Sequence, residues 1–98
     1  MAGDGVGVDV TVRVPAQLRA LTAGERELDV PAGSVLDVIK ALDAAYPGLQ
    51  ERLLDETGTL RRFVNVFVAD EDVRFLDGLA TEVRPGQTVS IVPAVAGG

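Results

Sequence analysis

The chain has 98 residues, 47% of them hydrophobic, enough for one core and too apolar for a disordered chain. It contains no Cys and no His, which removes thiol nucleophiles, Cys/His zinc sites, Ser-His-Asp triads and disulfides together. Its formal net charge of −6 repels phosphate backbones and argues against a nucleic-acid partner.

Taken in chain order, residues 1–7 read as a flexible start. "MAGDGVGVDV" has neither the basic nor the apolar region of a signal peptide, and no apolar run approaches the roughly 18 residues of a membrane span. The expectation is a cytoplasmic protein without membrane contact. "VGVDVTVRVPA" alternates: Val8, Val10, Val12 and Val14 share one face, and Asp9, Thr11 and Arg13 the other. Period two with β-branched residues predicts a half-buried strand over 7–14, stopped at Pro15. A loop turning at Gly24 leads to a second strand near 25–30, with Leu28 and Val30 on one face, so the pair reads as a hairpin.

"GSVLDVIKALDAAYPG" is the one clear helix. Ser34 stands at the N-cap and Asp37 three residues on, where a carboxylate meets the positive helix end. Val35, Val38, Ile39, Leu42 and Tyr46 form an apolar stripe, and Asp37, Lys40 and Asp43 face outward. Pro47-Gly48 stops the helix, and a short turn follows with Leu49, Leu53 and Leu54 over the core. "FVNVFV" is the strongest strand, with Val64, Val66 and Val68 toward the core and Phe63, Asn65 and Phe67 away from it. "ADED" reads as a turn, "DVRF" as a short fourth strand, "RPGQ" as a type II turn and "TVSIVP" as the last strand over 88–92. The order β-β-α-β-β-β predicts a single α+β domain spanning 1–98, with one main helix on a mixed sheet of four to five strands.

After Pro93 come "AVAGG", residues without charge or long side chains. Residues 93–98 read as a flexible tail. Glycine lets a backbone approach catalytic groups closely, so Ala94, Val95, Ala96 and Gly97 suit a segment threaded into a narrow site. An α-carboxylate at Gly98 is ionised at neutral pH and can attack the α-phosphate of ATP. The resulting acyl-adenylate is open to a sulfur donor. No step of this needs a side chain on the carrier, which agrees with a chain lacking Cys and His.

β-β-α-β-β-β closing in Gly-Gly resembles the ubiquitin-like β-grasp fold, and in particular the sulfur carriers of the MoaD/ThiS family. Residues 62–98, "RFVNVFVADEDVRFLDGLATEVRPGQTVSIVPAVAGG", are most similar to its actinobacterial branch, and "SVLDVIKALDAAYPGLQERLLD" and "VTVRVPAQLR" fit as well. The resemblance covers about residues 8–98. It implies a carrier that is not itself an enzyme. An E1-like adenylyltransferase/sulfurtransferase (MoeB/MoeZ-like) using ATP and Mg²⁺ activates Gly98 to a thiocarboxylate. A sulfur-accepting synthase, cysteine synthase-like with pyridoxal phosphate, takes the sulfur, and a zinc peptidase releases the product. None of these cofactors belongs to this chain. A MoaD-type subunit of molybdopterin synthase and a protein modifier conjugated through Gly98 are the alternatives.

The resemblance also implies that the open sheet face docks the activating enzyme, through Phe63, Phe67 and Val92. A second reading has the loop after Pro47 or the N-terminal segment covering them. Asp70, Glu71 and Asp72 steer a basic partner or form a solvated turn, and Arg61 and Arg62 flank the docking surface or are merely solvated. Lys40 is the single lysine, which argues against self-linked chains.

Overall fold

In the computed structural model the described residues run from 9 to 93. β1 (Asp9–Arg13) and β2 (Glu27–Pro31) pair antiparallel, with Val10 opposite Val30 and Val12 opposite Leu28. Val10 and Val12 are buried and Arg13 is exposed, as alternation predicts; residues 7 and 8 lie outside the described range. The connection expected to be a loop instead winds into 3-10 turns over Ala16–Thr22. The reason is Thr22, which is fully buried. Its Oγ1 lies 3.2 Å from the Arg19 carbonyl and 2.9 Å from that of Glu25, so the hydroxyl is satisfied inside the connection.

A two-residue strand, β3 (Gly33–Ser34), leads into helix α1 (Val35–Ala45). Its start is a reciprocal cap. Asp37 N–H donates to Ser34 Oγ at 3.1 Å, and Ser34 N–H donates to the Asp37 carboxylate at 3.1 Å. Val35, Val38, Ile39 and Leu42 are buried, and Tyr46 is half-buried at the far end. Asp43 accepts from Gly48 N–H at 3.0 Å and Gln50 N–H at 3.1 Å. That carboxylate fastens α2 (Leu49–Leu53) across the Pro47-Gly48 break, where Leu49, Leu53 and Leu54 are buried as expected.

β4 (Val64–Val68) buries its three valines. β5 is only Glu71–Asp72, so "DVRF" is not a strand. Asp72 Oδ1 accepts from Arg74 N–H at 2.9 Å and bends the chain into a 3-10 turn over Val73–Phe75. Val73 enters the core, while Phe75 is 87% exposed. β6 (Glu82–Val83) pairs with β3, and Val35 N–H donates to the Thr81 carbonyl at 2.9 Å. The C-terminal half thereby holds the start of α1. The turn before the last strand carries Gly86 at φ +86, with Gln87 N–H donating to the Arg84 carbonyl at 3.0 Å, as a type II turn requires.

β7 (Thr88–Pro93) completes a five-stranded mixed sheet in the order β2-β1-β7-β4-β5. It runs parallel to β1 and antiparallel to β4. The core contains only Val, Leu and Ile. Phe63 and Phe75 are exposed and Phe67 is half-buried, so the bulk of the phenylalanine surface is left outside.

Candidate functional site

The register of β4 with β7 sets the geometry. Val64 stands opposite Pro93, Asn65 opposite Val92, and Phe67 opposite Ser90. Because β7 lies between β1 and β4, Pro93 leaves the sheet from its middle, at the Phe63 end. Strand alternation sends Val89 and Ile91 into the core and leaves Val92 outside, 44% exposed. Phe63, just before β4, is 54% exposed. The structure thus brings Phe63, Phe67 and Val92 to the sheet face turned away from the core. Ala94, Val95, Ala96, Gly97 and Gly98 lie outside the described residues.

Asn65 of β4 sits between Phe63 and Phe67 in the chain, and a polar group there needs a partner. Arg74 supplies it: Nη1 donates to Asn65 Oδ1 at 2.7 Å, and Nη2 donates to the Arg61 carbonyl at 2.9 Å. The guanidinium is thereby fixed against the strand. Arg62 places its guanidinium carbon 5.9 Å from the Phe63 ring centroid, within cation–π reach. Arg61 turns the other way, Nε donating to the Glu51 carbonyl at 2.8 Å. Sequence reasoning picked out Arg61 and Arg62 but missed Arg74 and Phe75, because a strand through "DVRF" gives neither residue this position.

The β1–β2 side of the same face is polar. Arg13 Nε lies 3.7 Å from Glu27 Oε2, and Thr11 Oγ1 donates to Asp29 at 3.3 Å. A hollow by the β4–β5 turn is lined by Arg13, Asp70, Gln87 and Ser90. A second concavity, on the helical side, includes Asp43, Glu51, Asp55 and Glu56. Two of its carboxylates are already engaged. Asp43 fastens α2, and Asp55 accepts from the Thr57 hydroxyl at 2.6 Å and from the N–H groups of Thr57 and Thr59 at 2.9 and 3.1 Å. Those bonds, the Thr57 hydroxyl foremost, hold the Asp55 carboxyl below its ordinary value. Among the described residues no group of acidic side chains is arranged to hold a metal ion.

A mixed sheet of this order grasping one main helix, with the last strand central, is the ubiquitin-like β-grasp fold. The chain belongs to the ThiS family, whose model matches residues 12–98 and so runs through Gly98. It is 47% identical over 93 residues to the sulfur carrier protein CysO of Mycobacterium tuberculosis, an alignment covering 93% of this chain and all of the relative. The crystal structure of the Amycolatopsis orientalis BexX/CysO complex contains a chain that is 46% identical. The two superpose with a TM-score of 0.86 over 91% of this chain and 99% of that one. Small archaeal modifier protein 3 of Haloferax volcanii is 43% identical over 65 residues, 66% of this chain and 70% of that protein. The chain is a small β-grasp protein of the sulfur-carrier kind.

Proposed function

We propose that the α-carboxylate of Gly98 is the working group, and that the folded domain carries it between enzymes without catalysing a step itself. The carboxylate attacks the α-phosphate of ATP in an E1-like activating enzyme and pyrophosphate leaves. A sulfur nucleophile then displaces AMP from the acyl-adenylate and leaves a thiocarboxylate. The thiocarboxylate sulfur attacks an acceptor in the biosynthesis of cysteine or a related sulfur metabolite. ATP and Mg²⁺ belong to the activating enzyme and pyridoxal phosphate to the acceptor; a zinc peptidase completes the cysteine variant of the scheme. All of these steps take place in the cytoplasm.

The family match through Gly98 carries this reading, and the likeness to CysO supports it. The sheet face provides the second support. Phe63 and Val92 lie beside the strand end from which the tail departs, with Phe67 further along the same face, and exposed aromatic area is costly unless a partner covers it. The relative crystallised in complex with BexX is a precedent for a protein partner on this chain. The likeness to an archaeal modifier protein favours one alternative, conjugation of Gly98 to a lysine of another protein.

Intact-protein mass spectrometry decides between the two. With ATP, sulfide and an E1-like enzyme, the protein gains the mass difference between sulfur and oxygen. Deleting Gly97-Gly98 abolishes the gain and leaves the melting temperature unchanged, since no described core residue is lost. Adducts of whole-protein mass in place of that gain establish the modifier reading.

A further inference from the structure

We infer that Arg62 and Arg74 form a cationic collar at the root of the tail, matched to an acidic lip around the tail channel of the activating enzyme. The inference rests on the proposed function of Gly98 and concerns how the activating enzyme recognises its carrier.

The first argument is charge placement. In a chain whose net charge is −6, the Arg62 and Arg74 side chains both lie at the start of β4, over Phe63 and Asn65, while the Arg61 side chain turns away to the Glu51 carbonyl. Arg74 bonds to the Arg61 carbonyl, and Arg62 lies over Phe63, the residue before the one paired with Pro93. Among the described residues the one ion pair is Arg13–Glu27, at the far side of the sheet. Two cations at the start of one strand, with no ion pair described for either, gain from an external anion. Asp70, Glu71 and Asp72 lie at the other end of β4, so the face has an acidic end and a basic end. Such an arrangement orients a partner as well as attracting it.

The second argument is reach. Five residues, Ala94 to Gly98, follow Pro93, and five extended residues span at most about 18 Å. An enzyme that takes the Gly98 carboxylate into its site must therefore lay its channel mouth against the surface around Pro93. The third is specificity. The tail side chains are small and uncharged, so they hold little to tell this carrier from any other Gly-Gly end. Discrimination has to come from the body of the protein, and the groups nearest the channel mouth are Arg62, Arg74, Phe63 and Val92. The Arg74 guanidinium is held by two hydrogen bonds, so presenting it to a partner costs little side-chain entropy. A guanidinium matches a carboxylate in a two-pronged bond that lysine cannot copy.

The test is steady-state activation, followed as ATP–pyrophosphate exchange with the E1-like enzyme that thiocarboxylates the wild-type protein. Arg62→Gln is the primary variant, because Arg62 makes no described hydrogen bond whose loss would disturb the fold. Arg74→Gln keeps an amide donor for Asn65 and removes the charge. The expected result is a KM for the carrier raised about tenfold in the double variant with kcat unchanged. Added salt raises the wild-type KM steeply and that of the variant weakly. Arg62→Lys with Arg74→Lys recovers part of the loss. A KM within twofold of wild type, or one whose salt dependence survives in the double variant, overturns the collar while leaving the sulfur-carrier reading intact. Failure of every cognate E1-like enzyme to activate the wild-type protein overturns both.

Discussion

Asn65 of β4 and Val92 of β7 stand directly opposite each other on the open face, and Arg74 closes over Asn65 with a 2.7 Å hydrogen bond. A polar residue is thus satisfied in the middle of an apolar strip, while Phe63 and Val92 on either side of it keep much of their surface in solvent. Phe63→Ala and Val92→Ala should therefore change folding stability by no more than about 0.5 kcal/mol. Each should weaken partner binding by about 1–2 kcal/mol, as truncation of an interface anchor does. Denaturant unfolding and titration calorimetry with the activating enzyme measure the two quantities. A large stability loss with unchanged affinity would show that these side chains belong to the fold.

Leu42 sets the opposite case. It is 1% exposed at the centre of the α1 stripe, and Leu42→Ala leaves a cavity that the β-rich core cannot easily collapse into. The expected loss is about 2–5 kcal/mol in denaturant midpoint experiments. A loss below about 1 kcal/mol would mean that the helix packs loosely on the sheet.

The β4–β5 turn is strained. Ala69 and Asp70 are its two central residues, since Val68 pairs with Glu71, and both have positive φ (50° and 73°). A two-residue hairpin turn of this hand favours Asn-Gly, and alanine is a poor occupant of left-handed backbone. Ala69→Asn should stabilise the protein by about 0.5–1 kcal/mol, because Asn adopts that conformation readily and the site is exposed. Thermal melting checks it; an unchanged or lower midpoint would place the turn in another conformation in solution.

Acid should loosen the start of α1. The Ser34 backbone N–H, then the Ser34 side chain, hold the Asp37 carboxyl below its ordinary value. A carboxyl whose folded pKa is depressed stabilises the native state above its unfolded pKa, and that contribution disappears as pH falls through the folded value. Asp55 behaves in the same way, with the Thr57 hydroxyl as its main cause. Stability should therefore decline as pH drops below about 4, and carboxyl NMR titrations should place both groups below an unstructured aspartate. Ser34→Ala should cost about 1 kcal/mol at neutral pH and raise the Asp37 titration only in part, because the backbone N–H of residue 34, the main cause, remains. A Ser34→Ala variant as stable as the wild type would refute the reciprocal cap.

The features legible in the sequence were those written in periodicity or in a local exchange. Val64, Val66 and Val68 announced their shared face by alternation, and this alone placed Phe67 on the other one. Ser34 and Asp37 announced the helix start through a contact three residues long. The pairing of Gly33–Ser34 with Glu82–Val83 was not legible, because two-residue strands have no period to detect. Arg74 was missed for a related reason. Its position depends on one aspartate oxygen turning the chain after Asp72, and "DVRF" alternates well enough to pass for a strand. The buried Thr22 that curls residues 16–22 inward likewise looks like an ordinary loop threonine until its carbonyl partners are seen.

β7 has a bearing on how the protein is made. It is the last described strand to leave the ribosome, yet it occupies the centre of the sheet, and its neighbours β1 and β4 do not pair with each other. A nascent chain can form the β1–β2 hairpin and α1 early, but the sheet remains in two pieces until this strand is inserted, which is a slow, long-range event. A product broken off before Thr88 has no assembled sheet and lacks the Gly98 end as well. The sheet is therefore completed only once the chain has been made through Thr88–Pro93, the last strand of the described residues.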